Sequence, residues 1–157
     1  MDGQTAWNVI PYPMPDTKGI TVLKTSIEDR LVMNIYFPPG HEPESKTPVI
    51  VNPQVFKKNE ELQQFGRSVM SFDYEVSWAH LMAAQGWVVL KCESTAPSKS
   101  IEETLRFVQE NHKNLGVNPD KVGFWTVSSN PQGVIGFLSY GPDELKPMIA
   151  CSTFLSP

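Results

Sequence analysis

Short apolar runs alternate with longer amphipathic stretches along this chain. Residues 20–27 and 31–37 read as two strands. The second, Leu31-Val-Met-Asn-Ile-Tyr-Phe37, is apolar and aromatic and is stopped by Pro38-Pro39-Gly40. The short link Glu28-Asp29-Arg30 suits a hairpin. After a polar loop, 38–47, Pro48-Val-Ile-Val51 is the brief, fully apolar run expected of a strand buried on both faces. The pattern turns helical around Tyr74–Gln85, and Gly86 supplies a C-terminal stop. Trp87-Val-Val-Leu-Lys-Cys92 is the next buried strand. Ser100 and Glu103 have capping-box spacing. Ile101, Leu105, Val108, His112 and Leu115 then recur on one helical face, which Gly116 terminates. Asn118-Pro119-Asp120 turns the chain into a strand at 121–127. A helix follows from about Asn130 to Tyr140, and 147–154 is a last strand.

Strand and helix in regular alternation predict a parallel sheet with right-handed crossovers. The expected class is α/β: a mostly parallel sheet with an N-terminal antiparallel hairpin and helices on both faces. The Pro-rich residues 1–19 read as an irregular lead-in, and 20–157 as one domain. Residues 52–73 carry no clear pattern and include the charged run Lys57-Lys58-Asn59-Glu60-Glu61. A long connection beside a buried strand is often a functional one.

Composition narrows the field. Apolar residues make up 40% of the chain, ordinary for a packed globular protein. A net charge of −4, with scattered lysines and arginines, argues against a nucleic-acid partner. No run comes near the roughly 18 apolar residues of a membrane span. The N-terminus lacks the charged and apolar regions of a secretory signal, so a cytoplasmic location is expected. Cys92 and Cys151 both lie in apolar runs and read as buried free thiols, neither with metal-ligand spacing to a histidine. No metal or cofactor motif is present. Gly133 and Gly136 fall inside a helical stretch, and no phosphate-binding glycine pattern occurs.

The chemistry concentrates at Lys121-Val-Gly-Phe-Trp-Thr-Val-Ser128-Ser-Asn-Pro-Gln-Gly133. A buried strand runs into Ser128, turns, and enters a helix, as in a nucleophile elbow. Thr126 and Asn130 occupy the two places where glycine is usual. The competing reading is a Ser/Thr/Asn cluster that only caps the next helix, with Ser129 or Asn130 as the N-cap. Asn52-Pro53-Gln54-Val55 follows the buried strand 48–51. It is either an ordinary strand-ending turn or a loop offering a backbone N–H to an anion. Pro53 has none, which leaves Gln54 or Val55. His41 reads as a solvated loop residue, His80 and His112 as helix residues packed beside the sheet. None is placed to serve as a base for Ser128. Trp78, Trp87 and Trp125 read as core or interface aromatics.

Taken together, these stretches resemble the α/β-hydrolase superfamily, and within it the dienelactone-hydrolase-like esterases. The resemblance covers about residues 20–157 and the N-terminal part of the family's domain. Leu31–Pro38 is similar to the family's second strand with its aromatic-proline ending. Pro48–Gln54 occupies the place of its oxyanion strand and loop, and Ser77–Val89 that of the following helix and strand. Leu115-Gly-Val-Asn-Pro-Asp-Lys-Val-Gly123 resembles the linker before the elbow and is the most specific match. The resemblance implies Ser128 as nucleophile and the backbone N–H of Ser129 as one oxyanion donor, with Gln54 or Val55 as the second. It implies no cofactor. The family's acid and base lie after later strands, so both are expected from outside this chain.

Two functions follow from this reading. One is a serine hydrolase acting on a carboxylic ester or lactone through an acyl-enzyme. The other is a non-catalytic, hydrolase-like binding or interaction module. Its final strand, 147–154, is an apolar edge, and such edges pair with other chains. A homo-oligomer, or pairing through that strand, is therefore expected.

Overall fold

The computed structural model describes residues 18–27, 31–55, 66, 68–94, 97–127 and 130–155. Six strands form one sheet: β1 (Thr21–Ile27), β2 (Leu31–Phe37), β3 (Thr47–Val55), β4 (Val88–Ser94), β5 (Val117–Val127) and β6 (Ile149–Leu155). Their spatial order is β1-β2-β4-β3-β5-β6. The hairpin β1–β2 and the pair β2–β4 are antiparallel. From β4 to β6 all neighbours are parallel. Helices α1 (Asp73–Ala84), α2 (Pro97–Leu115) and α3 (Pro131–Tyr140) make the crossovers.

Strand alternation sorts the core into two layers. Leu31, Met33, Val49, Val51, Leu90 and Phe124 pack with Ile101, Leu105 and Val108 of α2 and with Val134 and Phe137 of α3. Tyr36, Ile50, Val89 and Trp125 pack with Ala79 and Ala83 of α1 on the opposite face. The chain moves one way from β3 to β4 and back across β3 to reach β5. A constant crossover hand then requires α1 and α2 to lie on opposite faces.

Several local expectations shift. Helix α2 starts at Pro97, so Ser100 is not its cap. Proline is preorganised for the first helical position, and Ser100 is buried in the first turn, its carbonyl accepting the Thr104 hydroxyl at 2.7 Å. Asn118–Asp120 lies within β5 as an irregularity, because Thr47 pairs Val117 while Val49 pairs Val122. The Asp120 N–H donates to Asn118 Oδ1 at 3.0 Å and closes that local turn. Cys92 is buried, its thiol pushed up to about 12 by desolvation. Cys151, expected to be buried, is exposed: it lies on the edge strand, beyond the part of the sheet that α1 covers. Trp125 is a core residue, as expected, whereas Trp87 is substantially exposed.

Candidate functional site at the ends of β3 and β5

The chain leaves β3 toward α1 on one face and leaves β5 toward α3 on the other. The carboxyl ends of these adjacent strands therefore flank a topological switch point, where open α/β sheets bind ligands. Ser128 and Ser129 lie in the connection from Val127 to Asn130, outside the described residues. The Asn130 N–H donates to the Val127 carbonyl at 3.3 Å, and only three residues, 128–130, separate β5 from α3.

Both positions that carry glycine in the common elbow pattern are accommodated differently. Thr126 is a fully buried strand residue whose hydroxyl donates to the Thr153 carbonyl at 3.4 Å. Asn130 has a helical backbone, φ −69°, which any residue adopts, so no glycine is needed. It stands at the N-cap of α3 but makes no side-chain cap. Instead its Nδ2 donates to Gln54 Oε1 at 2.8 Å, across 76 positions of sequence.

That bond is one link of a buried chain of amides. Gln54 Nε2 donates to Asn52 Oδ1 at 3.1 Å, and Asn52 Nδ2 donates to the Trp125 carbonyl at 2.8 Å. All three side chains are at least 96% buried. Each link runs donor to acceptor in one direction, an arrangement in which hydrogen bonds polarise one another. The expected turn or loop at Asn52–Val55 is therefore corrected: these residues continue β3, in register with Lys91–Ser94 of β4. Pairing with β5 stops at Val51–Phe124, and Pro53, with no N–H to give, falls beyond that point.

A second polar group shares this face of the sheet. Lys91, fully buried on β4, lies 3.0 Å from Glu75 Oε2 on α1, and its Nζ donates to the Met70 carbonyl at 3.2 Å. At 3.0 Å Lys91 and Glu75 form a buried ion pair. Burial holds the Lys91 ammonium below the ordinary lysine range, and Glu75 offsets part of that shift. Two residues on, Glu93 accepts from the Ser68 hydroxyl at 2.8 Å, and Ser68 Oγ accepts the Met70 N–H at 3.1 Å. Lys91 and Glu93 thus fasten the approach to α1. A lysine inside an apolar run was the available sequence signal for this pair, because lysine is almost never fully buried without a partner.

The histidines stand elsewhere. His41 is not a solvated loop residue: its ring contacts Thr47 Oγ1 at 3.1 Å and the Leu115 carbonyl at 2.7 Å, at the amino end of β3. The carbonyl can only accept, so Nε2 carries a proton. His80 packs edge-on against Tyr36 of β2 at 5.2 Å, three strand positions from β5. Its Nδ1 is buried without a hydrogen bond, and desolvation lowers its pKa. His112 contacts the Gln109 carbonyl at 2.7 Å on the outer part of α2. Among the described residues no group of His, Cys, Asp and Glu could hold a metal ion. No described helix is long and apolar enough to cross a membrane.

No family model matches the chain, and no curated protein does. Solved structures match its fold. Esterase 2 of Thermogutta terrifontis, phosphoramylated by tabun, aligns with a TM-score of 0.57 at 15% identity, over 94% of this chain and 60% of its own. MGS-M1, an α/β hydrolase enzyme from a Medee basin deep-sea metagenome library, aligns with a TM-score of 0.55 at 16% identity, over 78% and 52%. The chain thus spans less than two thirds of the length of these enzymes. The mixed six-stranded sheet, its helices on both faces and its match to these structures make this an α/β-hydrolase fold.

Proposed function

We propose that this chain is a serine hydrolase of carboxylic esters or lactones, of the dienelactone-hydrolase-like kind, with Ser128 as its nucleophile. The observation supporting this reading is the short link from β5, which ends at Val127, to α3, which begins at Pro131, beside the switch point of the sheet; in sequence Ser128 falls within that link. In the proposed reaction Ser128 Oγ bonds to the substrate carbonyl carbon and passes its proton to a base. The ester oxygen leaves with a proton, and water then cleaves the acyl-enzyme. The backbone N–H of Ser129, with that of Gln54 or Val55, would hold the oxyanion. No described histidine stands beside this connection, so the base and its acid would come from polypeptide outside these 157 residues, or from a second subunit. The chain alone should turn over esters at a small fraction of an intact enzyme's rate. A fluorophosphonate probe tests the nucleophile directly. Labelling of the wild-type chain that vanishes in Ser128→Ala is expected. No labelling at high protein concentration would exclude a reactive serine.

The second reading, a non-catalytic interaction module, is favoured by one observation. Among the described residues β6 pairs with β5 alone, and Phe154 and Cys151 on it are exposed. Beside it opens a groove of about 450 Å³ lined in part by Trp87 and Trp125. An open strand edge is a template for another strand, so we propose pairing through β6, in a homo-oligomer or with a separate polypeptide. Sedimentation should show self-association of the isolated chain. A monodisperse monomer that binds no hydrophobic dye would sink this idea.

A further inference from the structure

We propose that Gln54 is a positioning residue: through its paired amides it fixes Asn130, the residue that follows Ser128-Ser129 in sequence and leads into α3. The inference deepens the hydrolase reading and rests on it for its catalytic meaning. β5 and β3 part company after Val51–Phe124, so no sheet ladder ties the ends of the two strands together. The amide chain replaces that ladder. Asn52 grips the Trp125 carbonyl, and Gln54 grips Asn130, the residue that ends the connection and starts α3. Gln54 is the middle member and must accept from one neighbour while donating to the other. An amide meets that demand; a methyl group cannot, and an ionised carboxylate cannot donate.

The demand yields a test beyond loss of stability. In Gln54→Glu, the protonated carboxyl can accept from Asn130 through its carbonyl oxygen and donate its O–H to Asn52. Ionisation removes that donor and faces Asn52 Oδ1 with a negative charge. The charged groups near the position are Glu93, its cross-strand neighbour on β4, Lys91, and Glu75 on α1. They are common to wild type and variant, so rates are taken as a ratio to wild type at each pH.

Fluorophosphonate labelling of Gln54→Ala should fall about tenfold to a hundredfold, the scale of a misplacement near 1 Å. Burial at position 54 raises the pKa of the introduced carboxyl above the free glutamate range. Gln54→Glu should therefore approach the wild-type rate toward the acid end of the accessible pH range and lose it toward the alkaline end, as that carboxyl ionises. Hydrogen exchange of the peptide spanning 127–133 is the independent arm. It should speed up in Gln54→Ala, and in Gln54→Glu at the higher pH, while β1–β2 peptides keep their wild-type rates. Unchanged exchange at 127–133, or an equal rise over all peptides, overturns the proposal. So does a Gln54→Glu ratio that does not vary with pH. Wild-type protein that shows the exchange coupling but no labelling counts against Ser128 as a reactive nucleophile in this chain and leaves the positioning role standing.

Discussion

Lys91→Ala should destabilise the folded chain by about 3–5 kcal/mol, the cost of breaking a buried ion pair from one side. The variant leaves Glu75, only 3% exposed, with an uncompensated charge, and it frees the Met70 carbonyl that Lys91 holds at 3.2 Å. Removing both partners should behave differently. In Lys91→Met with Glu75→Leu no buried charge remains, and apolar replacements of buried pairs are often neutral or stabilising. Urea unfolding of the two single variants and the double gives a coupling energy that separates charge from packing. A double variant as unstable as the sum of the singles would show that the pair contributes nothing as a pair. The pH dependence has a defined sign. The folded-state pKa of Lys91 lies below its unfolded value, so the unfolded chain binds the extra proton between the two. Across that window the Lys91 contribution makes stability rise with pH, and the double variant should lose this slope.

Gly116→Ala should cost about 3 kcal/mol or more, of which only about 1 is the ordinary penalty for a left-handed backbone. Gly116 ends α2 with φ +63°. A Cβ there would sit 2.4 Å from the Glu42 carbonyl oxygen, 2.8 Å from His41 Nε2 and 3.0 Å from Pro43 Cα. Two of these are backbone atoms, and no rotamer change relieves them. The Gly116 carbonyl also accepts the Thr47 N–H at 2.9 Å, so a shift here disturbs the entry to β3. Gly86 is the internal control. It ends α1 with φ +92°, yet nothing lies within 4 Å of its Cβ position. Gly86→Ala should therefore show the backbone penalty alone, about 1 kcal/mol. Equal losses of stability in thermal unfolding of the two variants would refute the crowding argument.

The elements that periodicity exposes were legible. Leu31–Phe37 is strand β2 to the residue, and Ile101, Leu105, Val108 and Leu115 are buried on one face of α2. Gly86 and Gly116 end helices in the left-handed conformation their type favours. The misreadings have a common cause. Asn52-Pro53-Gln54 is locally a turn sequence, yet it stays extended because β4 pairs it along its length. Cys151 is locally a core residue, yet strand order puts it at the edge. Ser100 and Glu103 have capping spacing, yet Pro97 starts the helix three residues earlier.

The candidate site divides along the same line. Ser128 drew notice because a buried strand, small polar residues and a helix follow one another within about a dozen positions. The buried polar side chains at the ends of β3, β4 and β5 could not be paired from sequence, since Asn130 meets Gln54 across 76 residues and Lys91 meets Glu75 from strand to helix. Short-range backbone preference and apolar spacing are carried by neighbouring residues, and so the chain by itself determined its strands, its helices and their alternation. Strand order decided which polar groups face one another. That order is settled when distant segments exclude water together, and each buried amide or charge must then find its partner among residues the local sequence does not contain.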